Sequence, residues 1–332
     1  MAVFARELGI DLGTMFIRIV QGGEIILQEP TVAAVDMLEQ KIVAVGEEAQ
    51  SMIGRVSEET IEVVRPLQKG VVAYYELTEL LLDYLVRRIG GSVRLFKPRI
   101  MITHPYGITS VERRAVHEAA LASGDAALIA QPLAAALGID LPVGTPTGNM
   151  VVCLGGGCTQ AAVLAMNDVV SGENLRQGGL DLDEAIASYV RRKYGLLIGQ
   201  RTAEMVKLRI GAAVPQDEDQ TVELQGQDQV TGLPRPLTLT TSEVVEAVQP
   251  ALDEIFEMIR RVLERTPPEL ASDIIDRGVA LCGGGALLRG MDRLMTQKLG
   301  VPAYLVDDPV NCVAFGAMRA LEQYQTLSKH LS

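Results

Sequence analysis

The chain has 332 residues, 48% of them hydrophobic and 22% charged. That is a globular composition, at a length beyond the range in which one core keeps growing, so two domains are expected. A net charge of −12 argues against nucleic acid as a main partner, because a phosphate backbone needs a basic face. The 4% aromatic content, without Trp, leaves little for base stacking. Copies packed side by side would repel, so any assembly should respond to salt and divalent cations. Cys153, Cys158, Cys282 and Cys312 form no CxxC pair and suggest free thiols in a reducing cytoplasm. No apolar run is long enough to span a bilayer.

Leu8–Leu12 and Phe16–Val20 predict two strands joined by a glycine turn, Gly9-Ile10-Asp11-Leu12-Gly13-Thr14. A weakly periodic stretch from Thr31 to about Val64 suggests a small insertion. Leu77–Ile89 has helical spacing and stops at Gly90-Gly91. Pro98–Thr103 predicts a strand. Thr109 and Glu112 form a capping box for a helix running to about Ser123. Ala127–Ala130 predicts a short strand, followed by the Ala-rich helix Pro132–Leu137. At Val151 the pattern restarts: a strand, the turn Gly155-Gly156-Gly157, then strands at Gln160–Met166 and Asp168–Leu175. Helices are expected at Asp183–Tyr194 and Arg201–Arg209, and a small β insertion between Pro215 and Pro236. A second capping box, Thr240 and Glu243, opens a long amphipathic helix that Pro250 should kink. The third glycine turn, Gly283-Gly284-Gly285, should open a helix from about Ala286 to Lys298.

Glycine lets backbone N–H groups approach an anion without side-chain interference. Three such turns, each ending an apolar strand-like run, imply one phosphate-bearing ligand gripped between two halves. The expected architecture is a duplicated α/β fold with the ligand in the cleft between its halves.

These residues resemble the actin, Hsp70 and sugar-kinase superfamily, and specifically the MreB-type bacterial actins. The supporting stretches are Glu7–Thr14, Val111–Ala115, Pro146–Val152, Thr266–Ile274 and Gly283–Gly290. The resemblance implies an actin-like, ribonuclease H-like duplicated fold. Residues 1–30, 66–148 and 320–332 would form one large subdomain, and 31–65 its insertion. Residues 149–182 and 240–319 would form the second large subdomain, and 183–239 its insertion. It also implies ATP or ADP with Mg2+ as cofactors, Asp11 organising the magnesium through its waters, and Gln131 orienting the attacking water. Gly13, Thr14 and Met15 would lie at the β-phosphate. Gly155, Gly156 and Gly157 would hold phosphate and ribose, Glu204 and Lys207 would line the adenosine pocket, and Gly283, Gly284 and Gly285 would pass under the adenine.

The chain departs from the family where chemistry is concentrated. Cys153 stands in place of an Asp, Cys158 of a Thr, Gln160 and Gln131 of Glu, Leu180 of Asp, and Met15-Phe16 of a small residue and Asn. The glycines persist while carboxylates are lost, so phosphate cradling should survive with metal positioning and water activation weakened. Slow and near-normal ATP hydrolysis are both open on this reading. For the cysteines near the glycine turns, small residues filling tight space is preferred to a metal or redox site. Leu95 and Phe96, between Arg94 and Lys97, suit a loop dipping into a bilayer, with Val3, Phe4 and Arg6 as a second small anchor; packing under the next strand is the alternative.

The family implies a filament-forming homopolymer of paired filaments on the inner face of the plasma membrane. Its partners would be membrane lipid and integral membrane proteins of the cell-wall elongation complex. A small-molecule kinase of the same superfamily is the alternative. An Hsp70-like regulator would need a peptide-binding domain beyond Ser332.

Overall fold

Two five-stranded sheets, built to one plan from separate stretches of chain, organise the structure. The computed structural model describes residues 6–39, 41–57, 59–90 and 97–327. Strands β1 (Glu7–Leu12), β2 (Phe16–Gln21) and β3 (Glu24–Pro30) lead into an insertion of β4 (Ala33–Asp36), β5 (Lys41–Val45), helix α1 (Gly46–Met52) and β6 (Ile61–Val64). The short hairpin β7 (Leu67–Gln68) and β8 (Val71–Val72) precedes α2 (Tyr75–Gly90), β9 (Arg99–His104), α3 (Ser110–Ser123), β10 (Asp125–Ala130) and α4 (Gln131–Gly138). The plan then repeats with β11 (Asn149–Leu154), β12 (Thr159–Ala165) and β13 (Asp168–Leu175). The second insertion holds α5 (Gly179–Tyr194), β14 (Leu196–Leu197), α6 (Gln200–Ile210), β15 (Thr221–Asp228) and β16 (Pro234–Thr240). The chain ends with α7 (Thr241–Glu264), α8 (Pro268–Arg277), β17 (Val279–Cys282), α9 (Met291–Leu299), β18 (Ala303–Leu305), α10 (Cys312–Glu322) and α11 (Tyr324–Leu327).

The first sheet has the order β10-β9-β1-β2-β3 and the second β18-β17-β11-β12-β13. In each, three consecutive strands form an antiparallel meander and two more join in parallel on the other side. The duplication expected from the restart at Val151 is therefore present strand for strand. Both capping boxes form as read: Thr109 accepts from the Glu112 N–H, Thr240 from the Glu243 N–H, and each Glu reaches back to its cap. The helix expected to kink at Pro250 is one unbroken element, with Val244, Val248, Leu252, Ile255, Ile259 and Val262 buried along one face.

One expectation is corrected, one strand is added, and one expected boundary meets a helix. The helix expected from Ala286 to Lys298 is a 3-10 turn, Gly284–Leu287, followed by a separate α9. Gly290 breaks it with φ +74, where a Cβ would lie 2.6 Å from Val214 Cγ2, and Arg289 is tied by a strand-like bridge to Ala212. A third strand, β3, follows Gly22-Gly23, whose positive φ values of 59 and 83 suit a tight hairpin turn. The boundary expected at residue 320 falls inside α10, which packs against α4, β1, β9 and β2 of the first half along its length.

α10 reaches that position because glycines and alanines thin the contact. Ala134, Ala135 and Ala136 of α4 are fully buried. A Cβ on Gly316 would lie 1.6 Å from the Ala134 carbonyl oxygen, and one on Gly138 1.8 Å from that of Cys312. Gly316→Ala should gain about 1 kcal/mol of helix propensity but lose roughly 1–3 kcal/mol or more to overpacking. The clash wins, and urea denaturation should show a net loss of stability. A stabilised variant would mean the two helices are not in such contact.

Candidate functional site

The turns that close the first two strands of each half are copies of one another. The Gly13 N–H donates to the Phe16 carbonyl at 3.1 Å, and the Gly155 N–H to that of Cys158 at 2.9 Å. A Cβ on either glycine would lie within 2.8 Å of the carbonyl it faces. The two turns also meet. A Cβ on Gly157 would lie 2.4 Å from Thr14 Oγ1, and one on Gly156 2.2 Å from Met15 Cγ. Thr14 Oγ1 accepts from the Gly70 N–H at 3.1 Å. Gly283 adopts φ +83 directly over the end of β11, where a Cβ would be 2.3 Å from the Leu154 carbonyl.

These three turns border one cleft of about 750 Å³, a size suited to a small-molecule ligand. Asp11, Gly13, Thr14, Met15, Gln131, Gly155, Gly156, Gly157, Glu204, Lys207, Gly283, Gly284 and Gly285 all line it. Every residue singled out for ligand contact is thus brought to one place. Leu95 and Phe96, with Val3 and Phe4, lie outside the described residues.

At the floor, the side chains form a relay across the two halves. Asp11 Oδ1 accepts from Thr103 Oγ1 at 3.0 Å and from Gln131 Nε2 at 3.4 Å. Gln160 Nε2 donates to Gln131 Oε1 at 2.5 Å, and Gln160 Oε1 accepts from the Tyr106 N–H at 2.7 Å. A carboxylate only accepts, so Asp11 sets which end of Gln131 faces it, and that orientation sets Gln160. Arg18 of β2 stands 3.9 Å from Asp11 Oδ2. Burial pushes the Asp11 carboxyl up, while Arg18, Thr103 and Gln131 pull it back. Gln160, noted in the sequence only as a departure from the family, is the link between the halves.

The mouth is charged. Lys207 pairs with Asp183 Oδ1 at 2.7 Å and donates to the Gly179 carbonyl at 2.7 Å. Burial pushes Asp183 up to about 6, against the pull of Lys207. Arg65, from the first half, has a buried Nη1 with no hydrogen-bond partner among the described residues and feels the charges of Glu204 and Asp183. Lys69 is ion-paired with Asp181, and Arg176 with Glu112 at 2.6 Å, so two more pairs join the halves. Leu208 and Leu287 supply an exposed apolar wall. Asp183 escaped sequence reasoning because a lone Asp near a helix start carries no local signal of its partners.

A duplicated fold of this topology, with a ligand-sized cleft between glycine turns, defines an actin-like protein. The MreB/Mbl protein family model matches residues 5–329, and the chain belongs to that family. It is 45% identical to the cell shape-determining protein Mbl of Bacillus cereus over 330 residues, 98% of this chain and 99% of that one. It is 44% identical to the cell shape-determining protein MreB of Escherichia coli over 328 residues, 96% of this chain and 94% of that one. Crystal structures of MreB5 of Spiroplasma citri superpose with TM-scores of 0.91 bound to ADP and 0.92 bound to AMPPNP, at 29% identity over 98% of each chain. The MamK double helical filament shares the fold, with TM-score 0.81 at 20% identity over 96% of this chain and 99% of that one.

Asp183 gives a pH test. Its folded pKa of about 6 lies above the roughly 3.9 of an unfolded Asp, so the folded state favours the protonated form. The resulting penalty is absent below pH ~4, grows as pH rises towards 6, and is complete above it. In thermal denaturation, Asp183→Asn should therefore gain on the parent chain between pH 4 and 6 and hold that gain above. A difference flat across pH would contradict this placement of Asp183.

Proposed function

We propose that this chain is a nucleotide-binding, filament-forming bacterial actin that helps determine cell shape. The observation that supports it most is the cleft in which three glycine turns from two duplicated halves converge. The Gly13, Gly155 and Gly283 N–H groups already donate to carbonyls; the other N–H groups of the turns suit a polyphosphate, Leu208 and Leu287 suit an adenine face, and Glu204, Lys207 and Asp183 suit a ribose edge. Structures of MreB5 at this fold hold ADP and AMPPNP. The residues present fit a hydrated Mg2+ at Asp11. Among the described residues no group of three or more His, Cys, Asp or Glu converges, so the ion would keep water and phosphate oxygens as its other ligands. Bound there, Mg2+ neutralises charge on the phosphates.

Hydrolysis is slow in this reading. Gln131 offers its carbonyl to Gln160 and one amide N–H to Asp11, so both ends are held at the floor and only a second N–H or lone pair remains to orient a water. Cys153 occupies the place in β11 that Asp11 holds in β1, and a thiol does not hold a metal-bound water as a carboxylate does. Nucleotide then acts as a clamp on the two halves. Clamped protomers stack head to tail, through a heterologous contact that extends rather than closes. Leu95 and Phe96 anchor the filament on the inner face of the membrane, where avidity multiplies two weak insertions, and the filament scaffolds the membrane proteins of wall elongation.

Pelleting and phosphate release, measured with ATP, AMPPNP or no nucleotide, should show assembly with both nucleotides and little phosphate release. Release that tracks assembly and is abolished by Gln131→Ala would overturn the slow-hydrolysis reading; pelleting independent of nucleotide would overturn the clamp. Leu95→Ser with Phe96→Ser should release filaments from anionic liposomes while leaving pelleting intact. Unchanged liposome binding would refute the anchor.

A further inference from the structure

The internal duplication extends beneath the glycine turns. In the first half, Asp11 of β1 meets Thr103 of the neighbouring β9 through a hydroxyl-to-carboxylate bond of 3.0 Å. In the second half, Cys153 of β11 and Cys282 of β17 are register partners on adjacent parallel strands. The Cys282 thiol donates to Cys153 Sγ at 3.1 Å. A carboxylate–hydroxyl pair in one half is matched by a thiol–thiol pair in the other. Filling of tight space, the reading preferred from sequence, explains one small residue but not two sulfurs in register and in contact.

We propose that Cys153 and Cys282 are an oxidation site at the floor of the cleft, which peroxides convert to an intrachain disulfide. Adjacent strands lie about 4.8 Å apart, within the 4.4–6.8 Å Cα separation that disulfides span. The sulfurs need only close from 3.1 Å to about 2.05 Å. Cys153 lines the cleft, whereas Cys282 is wholly buried, so an oxidant meets Cys153 first. The Cys153 thiolate attacks one peroxide oxygen; the O–O bond breaks, leaving a sulfenic acid and hydroxide, which takes the released proton to become water. The Cys282 sulfur then attacks the sulfenic sulfur; the S–S bond forms, the S–O bond breaks, and the hydroxyl leaves with the Cys282 proton as a second water. Two thiols are oxidised and one peroxide is reduced.

The neighbours assign the roles. Hydrogen bonding with Cys153, then with Cys312, and burial together hold the Cys282 thiol protonated, well above the ordinary thiol range. A thiol so held is a poor first nucleophile, and Cys282 enters only through its contact with the Cys153 sulfur once that sulfur is a sulfenic acid. Burial pushes Cys158 up to about 12, which keeps it a thiol. Cys312, whose side chain also hydrogen-bonds with Cys282, is the rival partner.

The effect on the cleft rests on the nucleotide reading above. The disulfide would join β11 and β17 immediately before the Gly155 and Gly283 turns. Gly283 already sits against the Leu154 carbonyl with no room for a Cβ, so backbone adjustment that accompanies closure of the sulfurs is passed to both turns. Oxidised protein should bind ADP at least fivefold more weakly, and bound ADP should slow oxidation by covering Cys153.

The test treats the reduced full chain with hydrogen peroxide, alkylates the remaining thiols and maps a non-reduced digest by mass spectrometry. A Cys153–Cys282 linked peptide is expected, with Cys158 and Cys312 alkylated. Cys312→Ser should preserve the link, and Cys153→Ser or Cys282→Ser should abolish it. A Cys282–Cys312 link, sulfinic acid at Cys153 without a link, a link between chains, or four intact thiols would each overturn the proposal. ADP binding to reduced and oxidised protein separates the two readings. A mapped disulfide with unchanged affinity overturns its coupling to the cleft, while a reduced chain that binds no nucleotide counts against the function proposed above and leaves the oxidation site standing.

Discussion

The structure depends on side chains of one turn meeting the bare glycine backbone of the other where the two halves touch. Thr14 and Met15 of one turn lie against Gly157 and Gly156 of the other, at distances that leave no room for a β-carbon. Side chains at those positions would hold the halves apart, and the N–H groups of the two turns would no longer face a shared space. The sheets behind the turns serve this contact: each places its first hairpin so that the turn projects beyond the strand ends towards the other half. The closeness of α4 and α10, which also rests on glycines, fixes the helical layer beneath the first sheet.

Polar groups across the cleft are matched as donors and acceptors. Asp11 is the fixed point, since its carboxylate orients Gln131, Gln131 orients Gln160, and Gln160 ends on a backbone N–H of the first half. With carboxylates in place of both amides, the same positions would set three acids side by side, a repulsion that a bound cation or retained protons must relieve. The amides allow the halves to close without either. At the mouth, within the second half, Asp183 is a buried carboxylate held beside the Lys207 cation. The duplicated strands make the asymmetry plain: one half offers oxygen ligands at the floor, Asp11 and Thr103, the other offers sulfur, Cys153 and Cys282.

What the sequence revealed was what local chemistry encodes. Glycine turns after apolar strands, the capping boxes at Thr109 and Thr240, and the restart at Val151 all act within a few residues of one another, and each appears in the structure. The MreB-type likeness added the positions of Gln131, Glu204 and Lys207, which local patterns would have left as ordinary polar residues. Long-range pairings stayed hidden. Nothing near Gly290 announces that Val214 closes on it, and nothing near Cys312 announces that its helix crosses the chain to lie on Gly9 and Gly138. Gln160 looked like a lost acid until Tyr106 and Gln131 were placed on either side of it, and Asp183 acquired meaning only from Lys207, 24 positions later in the chain.

The central claim is that ligand binding depends on contact between the two opposed glycine turns. Calorimetric titration of ADP into the parent chain and into Gly157→Ala tests it most directly, with circular dichroism confirming that both are folded. The account predicts binding by the parent and at least a tenfold loss in the variant, because the added methyl group meets Thr14 and parts the halves. Equal affinity in two folded proteins would contradict it.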